Sequence, residues 1–380
     1  MNLQYVLRKL AEVMSWDDDT AQAEFARIEL MSRMKYDGYQ DFLAGARFSE
    51  RLLDWVQQFG ALEDRKTAYR FVRDQLIFIS TAEMHHLIGL SWPEFFRPEI
   101  LRFVADSYGI ADYQVRVHQE ASNALGKLQR KCLFIELSDG ARIDVFRRAN
   151  PGTISNEQIV TTSRFNREKW DDLLKDLQDE LGDAEARFEF VFLLDDFTAS
   201  GTSLLRFVDG KWKGKLRRFW DESRQFAGSH LSDDVRIHVH HYLATQRARE
   251  AVLQRHAERA AEGNWFDAEF TFGMVLPQSI RMEETENADV LDLISRHFDA
   301  SIAPEKHVRE SGCESMMFGY GDSRLPVILD HNTPNNTIPL LWATSSGNQD
   351  VHQMRPLFPR RQRHDVLDDS LDKQGQVLNG

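Results

Sequence analysis

Apolar positions recur every three or four residues through the first 110 residues, whereas later stretches carry unbroken apolar runs. The first pattern is helical and the second is that of strands buried on both faces. Val6, Leu10 and Val13 space a first helix. Ala21, Phe25, Ile28 and Met31 line one side of a second, over 21–34. Leu52, Leu53, Trp55, Val56 and Phe59 mark a third, over 48–59, with Gly60 placed as its cap. Helices follow over 63–79, after a Ser80/Glu83 capping box, and from Trp92 to Tyr108. No repeat is evident in this region.

From residue 113 the pattern changes. Strands are predicted over 113–117, 131–137, 141–148, 188–194, 235–244, 270–276 and 325–329. Helices are predicted over 121–128 and 166–181, from Ser203, around 212–226, and over 245–261 and 288–298. Strand–helix alternation from 131 to 300 predicts an α/β fold with a parallel sheet, its site at the carboxyl ends of the strands. The expected organisation is a helical region over 1–112, an α/β domain over 113–358 and a flexible tail over 359–380.

One stretch joins the two patterns to chemistry. Phe190 to Arg206 reads FVFLLDDFTASGTSLLR. An apolar strand runs into Asp195 and Asp196, then into the small hydroxyl loop Ala199, Ser200, Gly201, Thr202 and Ser203. Such a loop at a strand-to-helix turn offers unpaired N–H donors to a phosphate. Two carboxylates before it would repel a bare phosphate. They suit a ligand that also carries hydroxyls, as a ribose 5-phosphate does.

The stretch resembles the motif by which type I phosphoribosyltransferases bind phosphoribosyl pyrophosphate (PRPP). The whole layout, with the tail HNTPNNTIPLLW, also resembles the phosphoribosyltransferase-like effectors of bacterial conflict (anti-phage) systems, some of which accompany retron reverse transcriptases. The resemblance implies a Rossmann-like phosphoribosyltransferase domain behind the helical region. It implies a transferase that binds PRPP or a related ribosyl phosphate with Mg²⁺ and transfers or hydrolyses the ribosyl group. Asp195 and Asp196 would hold the ribose hydroxyls, directly or through Mg²⁺, and residues 199–203 the 5-phosphate. Two departures matter. The position that carries an acid in purine-base transferases is Ala199, so that loop offers no general base. A pyrophosphate loop of the usual kind is not evident. The alternative is a non-catalytic nucleotide- or PRPP-sensing module.

Other residues extend the site. Arg147 and Arg148 abut the turn at 149–152 and offer forked donors to a pyrophosphate. Arg142 lies on the same predicted strand. Asn332, Asn335 and Asn336 crowd a polar loop, where amides can recognise a base or sugar, or simply close a turn. His238 and His240 share a strand face without an evident third metal ligand. Cys132 reads as a core residue, and Cys313 has no visible base.

Composition narrows the classes. The 380 residues are 42% hydrophobic and 28% charged, with net charge −13, which disfavours non-specific binding to nucleic acid. Two distant cysteines give no disulfide framework, which fits a reducing cytoplasm. No membrane segment is expected. A small-molecule substrate is the expected partner, with a protein partner on the helical region and a homo-oligomer both compatible.

Overall fold

A computed structural model describes residues 3–40, 47–161, 167–302, 313–345 and 352–360. Helices α1–α4 span Leu3–Met14, Asp18–Met34, Phe48–Gln57 and Leu62–Gln75. Strand β1 is Ile77–Ile79, followed by α5 at Thr81–Leu90, α6 at Arg97–Tyr108 and α7 at Gln119–Arg130. Then come β2 (Cys132–Glu136), α8 (Ile143–Ala149), β3 (Ile159–Val160), α9 (Arg167–Leu181) and β4 (Phe188–Thr198). A hairpin of β5 (Arg206–Val208) and β6 (Lys211–Lys213) precedes α10 (Lys215–Ser223). The chain continues through β7 (Leu231–Thr245), α11 (Gln246–Ala261), β8 (Ala268–Leu276), α12 (Glu284–His297) and β9 (Val327–Leu329).

The chain forms two compact units. One joins residues 1–81 to 281–380, and the other is 82–280. The sequence placed a boundary near 112; contacts group α5 and α6 with the sheet instead.

In the first unit, α1, α3, α4 and α12 bury one apolar face each around Leu10, Trp55, Phe59, Phe71 and Leu293. The stripe is what spacing of three and four residues produces. Within this unit β1 pairs in parallel with β9, Ile77 opposite Val327. The region expected to be all helical thus contains a strand, made of the continuous run Ile77-Phe78-Ile79. Residues 352–358 pack in this core through Met354, Leu357 and Phe358. Tyr39 Oη donates to Pro359 O at 2.9 Å, so the chain is fastened as far as 360. From 361 on, the expected tail lies outside the described residues, as does Arg164.

The second unit is built on five parallel strands in the order β3-β2-β4-β7-β8. Leu133, Ile135, Val191, Leu193, Ile237 and Val239 face α9, α10 and α11, against Trp170, Phe219 and Val252. On the other face Phe134 and Phe192 stack at 5.2 Å, and Phe96 lies 4.5 Å from Phe192. Each of these buried side chains stabilises the fold by roughly 1.5–3 kcal/mol. Both faces are covered, so the strands read as apolar runs and not as alternating ones.

Several expected strands and helices change class. Residues 113–117 form a 3₁₀ turn and loop around Asp112–Gln114, not a strand. Residues 141–148 are not a strand either. Arg142 takes a left-handed φ of +46°, which breaks an extended path, and Ile143 and Phe146 are buried at helical spacing in α8. No helix starts at Ser203: Leu204 and Leu205 donate to Gly201 O, closing one turn, and the hairpin follows. Residues 212 and 213, expected to open a helix, lie instead in strand β6. Among the described residues no helix is long and apolar enough to cross a membrane.

Candidate functional site

The site forms where β2, β4 and β7 end. Strand β4 does not stop before the acidic pair. Its ladder with β7 continues through Asp195 opposite His241 to Thr198 opposite Ala244. Successive residues of a strand point to opposite faces, so the two aspartates part company.

Asp195 faces the α9–α11 layer and is 1% exposed. Lys215 Nζ, at the start of α10, bonds its Oδ2. Ser138 Oγ, from the loop after β2, donates to its Oδ1 at 2.5 Å. His241 Nε2 lies 3.7 Å from Oδ2, too far for a hydrogen bond. Burial holds His241 down at about 4, with the Asp195 charge opposing, so the ring is neutral at pH 7. Its Nδ1 is buried with no hydrogen-bond partner among the described residues.

Asp196 faces the opposite layer, half-buried, one residue beyond the Asp195–His241 pair and hence beside Tyr242. Gly140 packs onto this carboxylate. A Cβ there would stand 2.7 Å from Asp196 Cγ, so any larger residue would push the Asp196 carboxylate aside. Tyr242 is fully buried and its Oη has no hydrogen-bond partner among the described residues. Burial first, then the charges of Asp195, Asp196, Glu136 and Asp144, push its phenol well above the usual value. An unpaired buried hydroxyl among carboxylates is a costly arrangement, by about 1–3 kcal/mol.

The loop after β4 is braced from behind. Thr198 Oγ1 accepts from Gly201 N at 3.2 Å, and Ser200 Oγ lies 2.9 Å from Thr202 Oγ1. Gly201 has φ +70°, and a Cβ on it would be 2.6 Å from Val252 Cγ2 of α11. Thr245, the N-cap of α11, donates to Ala199 O at 2.8 Å. Arg255 donates to Ser200 O at 3.0 Å and to Leu205 O at 3.3 Å. With the carbonyls held, the N–H groups of Ser200, Thr202 and Ser203 find no acceptor among the described residues. Those are the donors an anion would use, although no helix dipole stands behind them.

Arg147 and Arg148 lie on α8. Arg148 is exposed and donates to Asp144 Oδ2 at 2.5 Å, one helical turn away. Arg147 is half-buried. Arg142, in the loop that carries Gly140, lies with its Nη1 3.5 Å from His85 Nε2. Asn332, Asn335 and Asn336 belong to the other compact unit. There Asn336 Nδ2 donates to Tyr320 O at 2.9 Å and Ser323 Oγ at 3.0 Å, and Asn335 O accepts from Tyr320 N at 2.8 Å. Asn335 and Asn336 thus close the turns of that loop.

His240 is occupied, its ring nitrogens bonded to Ser91 Oγ at 3.1 Å and Thr271 Oγ1 at 2.8 Å. Among the described residues, donors of Glu99, His238 and Glu269 lie within 4.8 Å of one another. Arg102 donates to Glu99 at 2.7 Å and competes for that carboxylate. The charges that act on Tyr242 are the carboxylates of Asp195, Asp196, Glu136 and Asp144, oxygen donors of the kind that suit Mg²⁺, an ion that keeps much of its water and takes one or two carboxylates.

Ser138, Gly140, Lys215, His241 and Tyr242 were not singled out from the sequence. The signal for Ser138 and Gly140 was their place just after a strand of a parallel sheet, where loops converge. For His241 and Tyr242 it was the register of β7 against the acidic pair. Lys215 carried no such signal, because the intervening hairpin was unexpected.

No curated protein and no solved structure matches the chain. The family model PRTase-CE matches residues 52–360, which takes in the end of α3, α4, the whole sheet and the asparagine loop. With an α/β parallel sheet and an acidic pair followed by a hydroxyl loop at its carboxyl edge, the chain belongs to the PRTase-CE family of phosphoribosyltransferase-like effectors.

Proposed function

We propose that the chain binds PRPP, or a related ribosyl phosphate, with Mg²⁺ and transfers or hydrolyses its ribosyl phosphate. The observation that carries this reading is the split acidic pair beside the braced hydroxyl loop, all at the carboxyl end of β4. Asp196 accepts the ribose hydroxyls from the Tyr242 side. The N–H groups and hydroxyls of Ser200, Thr202 and Ser203 hold the 5-phosphate. Asp195 plays a different part from the one expected. Paired with Lys215 and Ser138, it anchors the loop after β2 to β4 and presents no net repulsion to the phosphate. Glu136 and Asp196 supply oxygens that would hold Mg²⁺ through water, and the ion would neutralise the departing pyrophosphate. Catalysis would then consist of positioning and charge stabilisation. Arg147 and Arg148 would reach the pyrophosphate only after Arg148 gives up Asp144. As an anti-phage effector the chain would act in the cytoplasm.

A second reading, a sensor that holds the ligand without turnover, is favoured by Ala199, which leaves the loop without a base. Pyrophosphate release separates the two. The chain is incubated with PRPP, Mg²⁺ and a panel of bases, nucleotides and NAD. Release that Asp196→Asn abolishes supports transfer or hydrolysis. Binding without release supports the sensor, and absence of binding overturns both.

A further inference from the structure

A polar cavity lies away from the acidic pair in the same unit. It is about 390 Å³ and is lined by Trp92, Arg97, Arg116, Gln129, Arg130 and Thr153, with two glycines. That volume falls within the usual range for small-molecule sites, about 300–1,000 Å³. Arg130 is the last residue of α7, two residues before β2 begins. Thr153 precedes β3. The cavity is therefore at the amino ends of the strands, whereas Ser138 and Asp196 stand at the carboxyl ends. The length of β2 alone separates them by roughly 16 Å, at about 3.3 Å per residue.

Three arginines converge here in a chain of net charge −13, and no carboxylate lines the cavity. Arg130 is held in place from behind: its Nη1 donates to Ser155 Oγ at 3.2 Å and its Nη2 pairs with Glu180. Its Nε, and that of Arg97, are buried with no hydrogen-bond partner among the described residues. No carboxylate among the described residues pairs with Arg97 or Arg116. Leaving buried guanidinium donors unpaired is unfavourable, and so is gathering like charges. The second penalty is offset if an anion sits in the cavity, where the guanidinium forks of Arg97 and Arg116 suit phosphate oxygens. Trp92 supplies an apolar wall and Gln129 an amide, which suit a planar ring attached to that phosphate.

We propose that this cavity binds a phosphate-bearing small molecule of nucleotide size, at a site distinct from the one at Asp196. Its ligand is anchored by Arg97, Arg116 and Arg130.

The test is calorimetric titration of the full chain with AMP, ADP, inorganic pyrophosphate, inorganic phosphate and adenosine. The expected result is binding by AMP or ADP that weakens at least tenfold in Arg97→Gln and in Arg116→Gln and is unchanged in Asp196→Asn. Adenosine should not bind. Pyrophosphate binding with the same arginine dependence supports the anion site and assigns the ring no part. Arg116 is exposed, so its variant keeps the fold, checked by urea denaturation. The proposal is overturned if none of the phosphates binds. It is also overturned if binding is lost in Asp196→Asn but not in the arginine variants, or if adenosine binds as well as AMP.

Discussion

Asp195 and Asp196 are adjacent in sequence and belong to different worlds. Asp195 is buried, neutralised by Lys215 and tied to Ser138. Asp196 is half-buried, beside a glycine and a phenol that has no partner among the described residues. One sheet face thus carries a structural ion pair, and the other a half-buried carboxylate beside a buried phenol that is unpaired among the described residues. The lesson is that a doublet read as one binding unit becomes two roles once it lies inside a strand. Alternation of a strand is sufficient cause.

The comparison breaks most visibly at Lys215. Lys215→Met strands a buried carboxylate, which should destabilise the chain by about 3–5 kcal/mol in urea denaturation. Lys215→Met/Asp195→Leu should recover most of the loss. Asp196→Asn should change stability by less than about 1 kcal/mol. Equal losses at the two aspartates would erase the distinction.

Acid sharpens the same contrast along β7. Burial holds His238 and His241 at about 4 and His240 at about 3, against an ordinary value near 6.5. Their folded values are depressed, so the unfolded chain takes up protons first. Stability is full above about pH 6.5 and falls as pH drops toward 4. At roughly 1.36 kcal/mol per unit the three histidines sum to several kcal/mol. Thermal denaturation between pH 7 and 4.5 should show a steep fall, lessened in His238→Gln. A flat profile would show that the histidines are not held neutral.

Smaller effects follow at the glycines. Gly201→Ala meets both a positive φ and Val252, and should cost about 1–3 kcal/mol. Gly140→Ala should leave stability nearer wild type but displace the Asp196 carboxylate, weakening PRPP binding about tenfold while Asp195 stays paired. Smallest is Tyr242→Phe. It removes a hydroxyl that is unpaired among the described residues, so the ligand-free chain should be unchanged or stabilised by up to about 1 kcal/mol.

The parallel sheet was legible because strands buried on both faces leave long apolar runs, and Phe190–Leu194 is one. The hydroxyl loop was legible because Gly201 and its neighbours are small for a reason visible in the fold. What escaped was long-range. Nothing local to Lys215 announces that it folds back onto Asp195. Residues 141–148 carry β-branched and aromatic positions that suit a strand, whereas the left-handed turn at Arg142 breaks the extended path and Ile143 and Phe146 are buried at helical spacing. The asparagines share one polar loop in sequence, but contacts place that loop in the other compact unit.

On the proposed reading Asp196, on its own face of β4, binds the ribosyl phosphate while Asp195 serves the scaffold. The most direct measurement is isothermal titration of PRPP with Mg²⁺ into the wild type and into Asp196→Asn, with folding of both verified. The account predicts binding to the wild type and at least a tenfold loss in Asp196→Asn. Equal affinity in the two proteins, or no binding to the wild type, would contradict it.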